Sequence, residues 1–132
     1  MSQDSIFTKI IKGEIPCHKV YEDDTTIAFL DIHPIQPGHT LVVSKTQVPT
    51  FMDLADEDAA ALWSAARKVA KRLREAYPDK KRIAMAIEGF DVDHVHLHLI
   101  PVDNHAEFTT LQDMDDEPDH AALAEIAKKL AV

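Results

Sequence analysis

From Ser5 to Lys12 the chain reads Ser-Ile-Phe-Thr-Lys-Ile-Ile-Lys. Apolar residues at Ile6 or Phe7, Ile10 and Ile11 stripe one side of a short helix, which Gly13 and Pro16 end. Val20-Tyr21 opens an extended stretch, Glu22-Asp23-Asp24 is a turn, and Thr25 to Ile32 is β-branched and apolar enough for a strand. A loop with Pro34, Pro37 and Gly38 leads to a second strand, His39 to Ser44. The longest helical pattern runs from about Met52 to Tyr77, with Leu62, Ala66, Val69 and Leu73 on one face and Asp53 as the expected N-cap. Pro78 stops it. Arg82 to Glu88 and His94 to Ile100 are the third and fourth clear strands, and an irregular acidic segment precedes a terminal helix from about His120 to Leu130.

Hairpin-length connections around one long helix predict an α+β domain spanning 1–132, its sheet largely antiparallel and its helices packed on one face. No internal repeat or long linker divides it. In the fourth strand, Val95, Leu97 and Leu99 alternate with His94, His96 and His98. Alternate residues of a strand face opposite ways, so the three imidazoles are expected in a row on the uncovered face.

Composition narrows the use of that row. The hydrophobic fraction of 45% and charged fraction of 28% are those of a globular protein. No apolar run approaches the roughly 18 residues of a membrane span, and no basic-then-apolar leader opens the chain, so no membrane partner is expected and the cytoplasm is the expected location. Cys17 is the single cysteine, which excludes an intrachain disulfide. A net charge of −9 argues against a nucleic-acid partner but leaves room for a small phosphorylated ligand. The cluster Asp113, Asp115, Asp116, Glu117 and Asp119 reads as a solvated loop, and His18, His33, His105 and His120 as solvated loop residues.

Three neighbouring imidazoles can bind a metal or carry out nucleophilic catalysis. For a metal, His39 and Asp31 are available as further ligands. A straight row is nevertheless poor tetrahedral geometry, since alternate strand residues lie about 6.5–7 Å apart. Phosphoryl or nucleotidyl transfer fits better: a central imidazole attacks phosphorus while its neighbours stabilise charge and serve the leaving group.

The run His94-Val95-His96-Leu97-His98-Leu99-Ile100-Pro101 resembles the signature of the histidine-triad (HIT) family of nucleotide hydrolases and transferases. The resemblance extends over Ile6-Phe7-Thr8-Lys9-Ile10-Ile11-Lys12-Gly13-Glu14-Ile15-Pro16, Val20-Tyr21-Glu22-Asp23-Asp24, Ala28-Phe29-Leu30-Asp31-Ile32 and Pro37-Gly38-His39-Thr40-Leu41-Val42-Val43. It implies a HIT-like fold, an antiparallel meander sheet with one long helix and a C-terminal helix, in a homodimer. By the same resemblance His96 is the nucleophile that forms a covalent nucleotidyl intermediate. His98 and His94 position it and bind phosphate, His39 reaches the same site, and the His94 carbonyl orients the His96 ring. Asp31 accepts hydrogen bonds from ribose hydroxyls, and Phe7, Ile10, Phe29, Ile32 and Leu41 form the slot for the base. The implied substrate is a purine nucleotide or nucleotide conjugate: a nucleoside phosphoramidate, dinucleoside polyphosphate or related ester cleaved at the α-phosphorus. The covalent step calls for no metal and no cofactor.

Two stretches depart from the family pattern. Many bacterial relatives carry Cys-x-x-Cys and a later histidine as a structural zinc site; here those positions read Ser5, Thr8 and Gln47, weak zinc ligands, so that site is expected to be absent. Before the triad, a Gly-Gln-(Ser/Thr)-Val that donates to the α-phosphate gives way to Gly89-Phe90-Asp91-Val92-Asp93. Phe90 cannot donate, and an ionised Asp91 near a phosphate repels it. The expectation is nucleotide binding with hydrolysis reduced or redirected, and the alternative is a non-catalytic nucleotide-binding or signalling module.

Overall fold

The computed structural model describes residues 3–131, so the ends of the domain read over 1–132 fall outside the described residues. Helix α1 (Ile6–Ile11) leads into strands β1 (Lys19–Glu22), β2 (Thr26–Leu30) and β3 (Thr40–Ser44). A 3-10 turn (Phe51–Asp53) precedes the long helix α2 (Asp56–Ala76), followed by β4 (Arg82–Ala86), β5 (His96–Val102), the short α3 (His105–Phe108) and α4 (His120–Leu130). The five strands form one antiparallel sheet of order β1-β2-β3-β5-β4. The first three run as a meander, and β5 returns between β3 and β4. No helix among the described residues is long and apolar enough to cross a membrane.

Helix α2 forms from a run of Ala, Leu, Lys, Arg and Glu, residues with high helix propensity. Asp56, Glu57 and Asp58 in its first turn and Arg74 in its last suit the helix dipole. Its start differs from the sequence expectation. Asp53 caps the preceding 3-10 turn instead, where its carboxylate accepts from the Thr50 N–H at 3.1 Å and hydroxyl at 2.8 Å. Asp119 is likewise a cap rather than a loop residue, its carboxylate accepting from the Ala122 N–H at the start of α4.

The alternation of β2, β3 and β5 builds two layers. Ala28, Leu30, Val42, Leu97 and Leu99 pack against Leu62, Ala66, Val69 and Leu73 of α2 and Leu123 and Leu130 of α4. Ile27, Phe29, Leu41 and Val43 face the other way and are covered by Phe7 of α1, with Ile10, Ile11 and Val92 alongside. Helices therefore cover both faces in part, and the histidine face is not open as expected. All five residues of β2 and of β3 are buried for this reason.

β5 begins at His96 rather than His94 and runs on through Pro101. Pairing with β3 ends at Leu99, so Pro101 lies where β4 alone accompanies the strand and a missing N–H is tolerated. Gly38, directly before His39, has a positive φ of 90°. A Cβ there would lie 2.6 Å from the Tyr77 ring and 3.2 Å from Pro101. We expect Gly38→Ala to cost about 1–3 kcal/mol through strain and overpacking, read as a lower urea midpoint. An unchanged midpoint would mean that this contact does not fix the loop carrying His39.

Candidate active site

β3 and β5 lie side by side with Leu41 opposite His98 and Val43 opposite His96. With His39 at the foot of β3, three imidazoles stand in file. The His39 and His98 ring centroids are 5.1 Å apart, as are those of His98 and His96. The Phe7 ring meets His96 edge-on at 4.8 Å and closes the file at the α1 end.

Backbone partners fix where the ring protons sit, because a carbonyl only accepts and an amide only donates. His96 Nδ1 lies 2.7 Å from the His94 carbonyl, so Nδ1 carries hydrogen and the neutral ring keeps its lone pair on Nε2. The Ile35 N–H donates to His39 Nδ1 at 3.2 Å, which puts the His39 hydrogen on Nε2. That N–H donates to His98 Nδ1 at 2.9 Å. His98 must then hold its hydrogen on Nε2, a buried nitrogen with no hydrogen-bond partner among the described residues. A nucleophilic lone pair and an unused N–H donor thus stand on adjacent rings. Burial keeps the relay neutral: it lowers the pKa of His39 to about 4 against the opposing pull of Asp31, and pushes His98 down with help from His96.

His94 stands apart from the expected row. Because it precedes β5, with the Val95 N–H bonded to the Val48 carbonyl, the strand alternation does not extend back to it. Its ring is fully buried. Its Nε2–H donates to the Ser44 carbonyl at 2.6 Å and its Nδ1 accepts from the Ser5 hydroxyl at 2.6 Å. With both nitrogens engaged, the ring is not available to a phosphate, and what His94 offers the site is its carbonyl. Ser5, Thr8 and Gln47 do gather here: the Thr8 hydroxyl and the Ser5 N–H both donate to Gln47 Oε1, at 2.6 and 2.8 Å. Beside the single His94 nitrogen this set offers two hydroxyls and an amide, with no thiolate or carboxylate, so it does not fit a zinc ion.

Asp31, just past β2, is 3.7 Å from His39 Nε2. Its Oδ1 accepts from the His33 N–H at 2.8 Å and its Oδ2 from Gln112 Nε2 at 2.7 Å. Phe7, Phe29 and Leu41 form one buried cluster with Ile10 against it. Ile32 is 40% exposed and does not join them; it lines a separate cavity with Pro34, Ala122 and Ile126.

β4 ends at Ala86 rather than at the expected Glu88. Phe90 is 85% exposed, whereas Val92 packs on the Phe7 cluster. Asp91 lines a cavity of about 380 Å³ with His39, His98, Glu88, Ile35 and Gln112. Sequence reasoning missed two members of this site. Glu88, assigned only to a strand end, brings Oε1 to 3.6 Å from His98 Nε2. Gln112 lies in a stretch without periodicity, and nothing in the sequence signals its contact with Asp31. Glu88, His96 and His98 can offer ligand atoms within 4.8 Å of one another. Metal binding there would require His98 Nε2 to lose the hydrogen that the relay assigns to it.

Comparison with known proteins identifies the family and its fold. The HIT domain model matches residues 12–105. The adenosine 5'-monophosphoramidase hnt1 of Schizosaccharomyces pombe is 41% identical over 100 residues, 75% of this chain and 74% of that protein. The purine nucleoside phosphoramidase of Escherichia coli is 38% identical over 106 residues, 76% of this chain and 88% of that one. A Hit-like protein involved in cell-cycle regulation from Bartonella henselae superposes with a TM-score of 0.81 at 34% identity, covering 98% and 95% of the two chains. The chain belongs to the histidine-triad family.

The depressed pKa of His39 has a consequence for stability. Between its ordinary 6.5 and about 4 the unfolded chain binds a proton that the native one refuses. The stabilisation from neutral His39 is therefore complete above about pH 6.5 and is lost as the pH falls to about 4. Urea midpoints measured over this window should fall with pH, and more shallowly in His39→Gln. Equal slopes would mean that His39 is protonated in the native protein.

Proposed function

We propose that this protein is a nucleotide hydrolase or nucleotidyl transferase that acts at an α-phosphorus through His96. The observation that carries the reading is the pair on adjacent rings: His96, whose Nδ1–H is held by the His94 carbonyl so that the neutral ring keeps its lone pair on Nε2, beside the His98 Nε2–H, which has no hydrogen-bond partner among the described residues. In this reading His96 Nε2 attacks phosphorus, and an N–P bond forms as the bond to the leaving group breaks. The Nδ1–H, bonded to a carbonyl, stabilises the positive charge that the ring acquires. His98 Nε2–H donates a hydrogen bond to the leaving atom. Water then attacks phosphorus as the His96 N–P bond breaks; its hydroxyl stays on phosphorus, and its other proton restores to His98 Nε2 the one passed to the leaving group. No step calls for a metal.

The other assignments follow from position. Asp31 takes the ribose hydroxyls, and Phe7, Ile10, Phe29 and Leu41 form the apolar bed beneath a purine. Ile32 belongs at the rim, given its exposure. The two relatives named as phosphoramidases support a phosphoramidate as the substrate class. Glu88 and Asp91 beside His98 point the same way, since two carboxylates repel a polyphosphate leaving group more than an amine. A homodimer joined along the free edge of β4 is supported by half-exposed Met85 and Ile87. We place the protein in the cytoplasm, as the sequence suggested.

The same carboxylates favour a second reading, a nucleotide-binding module without turnover. Incubation with a fluorogenic adenosine phosphoramidate, followed by intact-mass measurement, separates the two. Turnover with a mass increase of one adenylyl group is expected, and both should vanish in His96→Ala with AMP binding retained. AMP binding with neither signal in the unsubstituted protein would favour the binding module. Full activity in His96→Ala would overturn the mechanism.

A further inference from the structure

Residues 111–118, between α3 and α4, have no regular structure and carry Asp113, Asp115, Asp116 and Glu117. Leu111 is 90% and Met114 63% exposed, so apolar burial at these two side chains does little to hold the segment down. Asp113 makes bonds within the segment, accepting from the N–H groups of Asp115 and Asp116. Among the described residues, the only hydrogen bonds that tie it to the rest of the fold come from the Gln112 amide. Its Nε2 donates to Asp31 Oδ2 at 2.7 Å and to the His33 carbonyl at 2.9 Å.

Asp31 Oδ1 accepts from the His33 N–H. Oδ2, the oxygen on the His39 side of the carboxylate, accepts from Gln112. An amide NH2 with two donors occupies the place where a vicinal diol, also with two donors, would satisfy the same carboxylate and carbonyl. We infer that Gln112 is a clasp that competes with the ribose diol for Asp31, so that ribonucleotide binding releases residues 111–118. The inference rests on the reading of Asp31 as the ribose ligand. By linkage, whatever weakens the clasp tightens the binding of a diol and leaves a ligand without hydroxyls unaffected.

The test is calorimetry of AMP and 2',3'-dideoxy-AMP with the unsubstituted protein and with Gln112→Ala. Gln112→Ala should bind AMP roughly three- to tenfold tighter, the scale of one or two hydrogen bonds, with dideoxy-AMP unchanged. Amide exchange in residues 111–118 should rise when AMP binds the unsubstituted protein and be raised in free Gln112→Ala. Suppose AMP binding is unchanged or weaker in Gln112→Ala while AMP still outbinds dideoxy-AMP there. The clasp is then overturned and Asp31 remains the ribose ligand. Equal tightening of both ligands also overturns it, because the competition would not be with the diol. If the two ligands bind alike in Gln112→Ala, the reading of Asp31 itself fails and takes the clasp with it.

Discussion

The hydrogen bond from His96 Nδ1 to the His94 carbonyl is the contact on which the proposed chemistry depends. A carbonyl cannot donate, so this bond fixes one tautomer and leaves Nε2 with its lone pair. The carbonyl is held because the residue that owns it is held. The His94 ring is clamped between the Ser44 carbonyl and the Ser5 hydroxyl and packs beside Phe7. Helix α1, through its N-cap Ser5 and its Phe7, therefore acts on the orientation of His96 by way of His94. The hydroxyl and amide cluster of Ser5, Thr8 and Gln47 keeps this corner together by directional bonds among polar groups.

A second constraint comes from the opposite end of the file. The Ile35 N–H sets the His39 tautomer, His39 sets that of His98, and the result is an N–H without a hydrogen-bond partner among the described residues, Glu88 Oε1 lying 3.6 Å off. A buried donor without a partner is costly in a folded chain and is found where a ligand completes it. Burial keeps His39 and His98 uncharged in a protein of net charge −9, where neighbouring carboxylates would otherwise favour imidazolium. Desolvation outweighs the attraction of Asp31 and Glu88.

Much of the architecture was legible because periodicity reports burial. The long helix, the terminal helix and the four expected strands appear where apolar spacing placed them, with ends displaced by a few residues, and the extended stretch at Val20-Tyr21 is the remaining strand. The misplaced starts have local causes: Asp53 serves a 3-10 turn, and His94 falls before the strand begins. The roles of His96, His98, His39 and Asp31 were suggested by a motif, and the structure brings these side chains together. The direction of the His94 ring was not legible, since it depends on partners 50 and 89 residues distant in sequence. Glu88 and Gln112 were missed for the same reason. A polar side chain in an aperiodic stretch acquires meaning only from what the fold sets against it.

The proposed chemistry stands or falls on the tautomer of one ring, which can be observed without a substrate. With the histidines labelled with nitrogen-15, correlation spectra at neutral pH distinguish protonated from bare ring nitrogens. The account predicts that His96 carries its proton on Nδ1 while His39 and His98 carry theirs on Nε2. His96 protonated on Nε2 would leave no lone pair facing the site and would contradict the account.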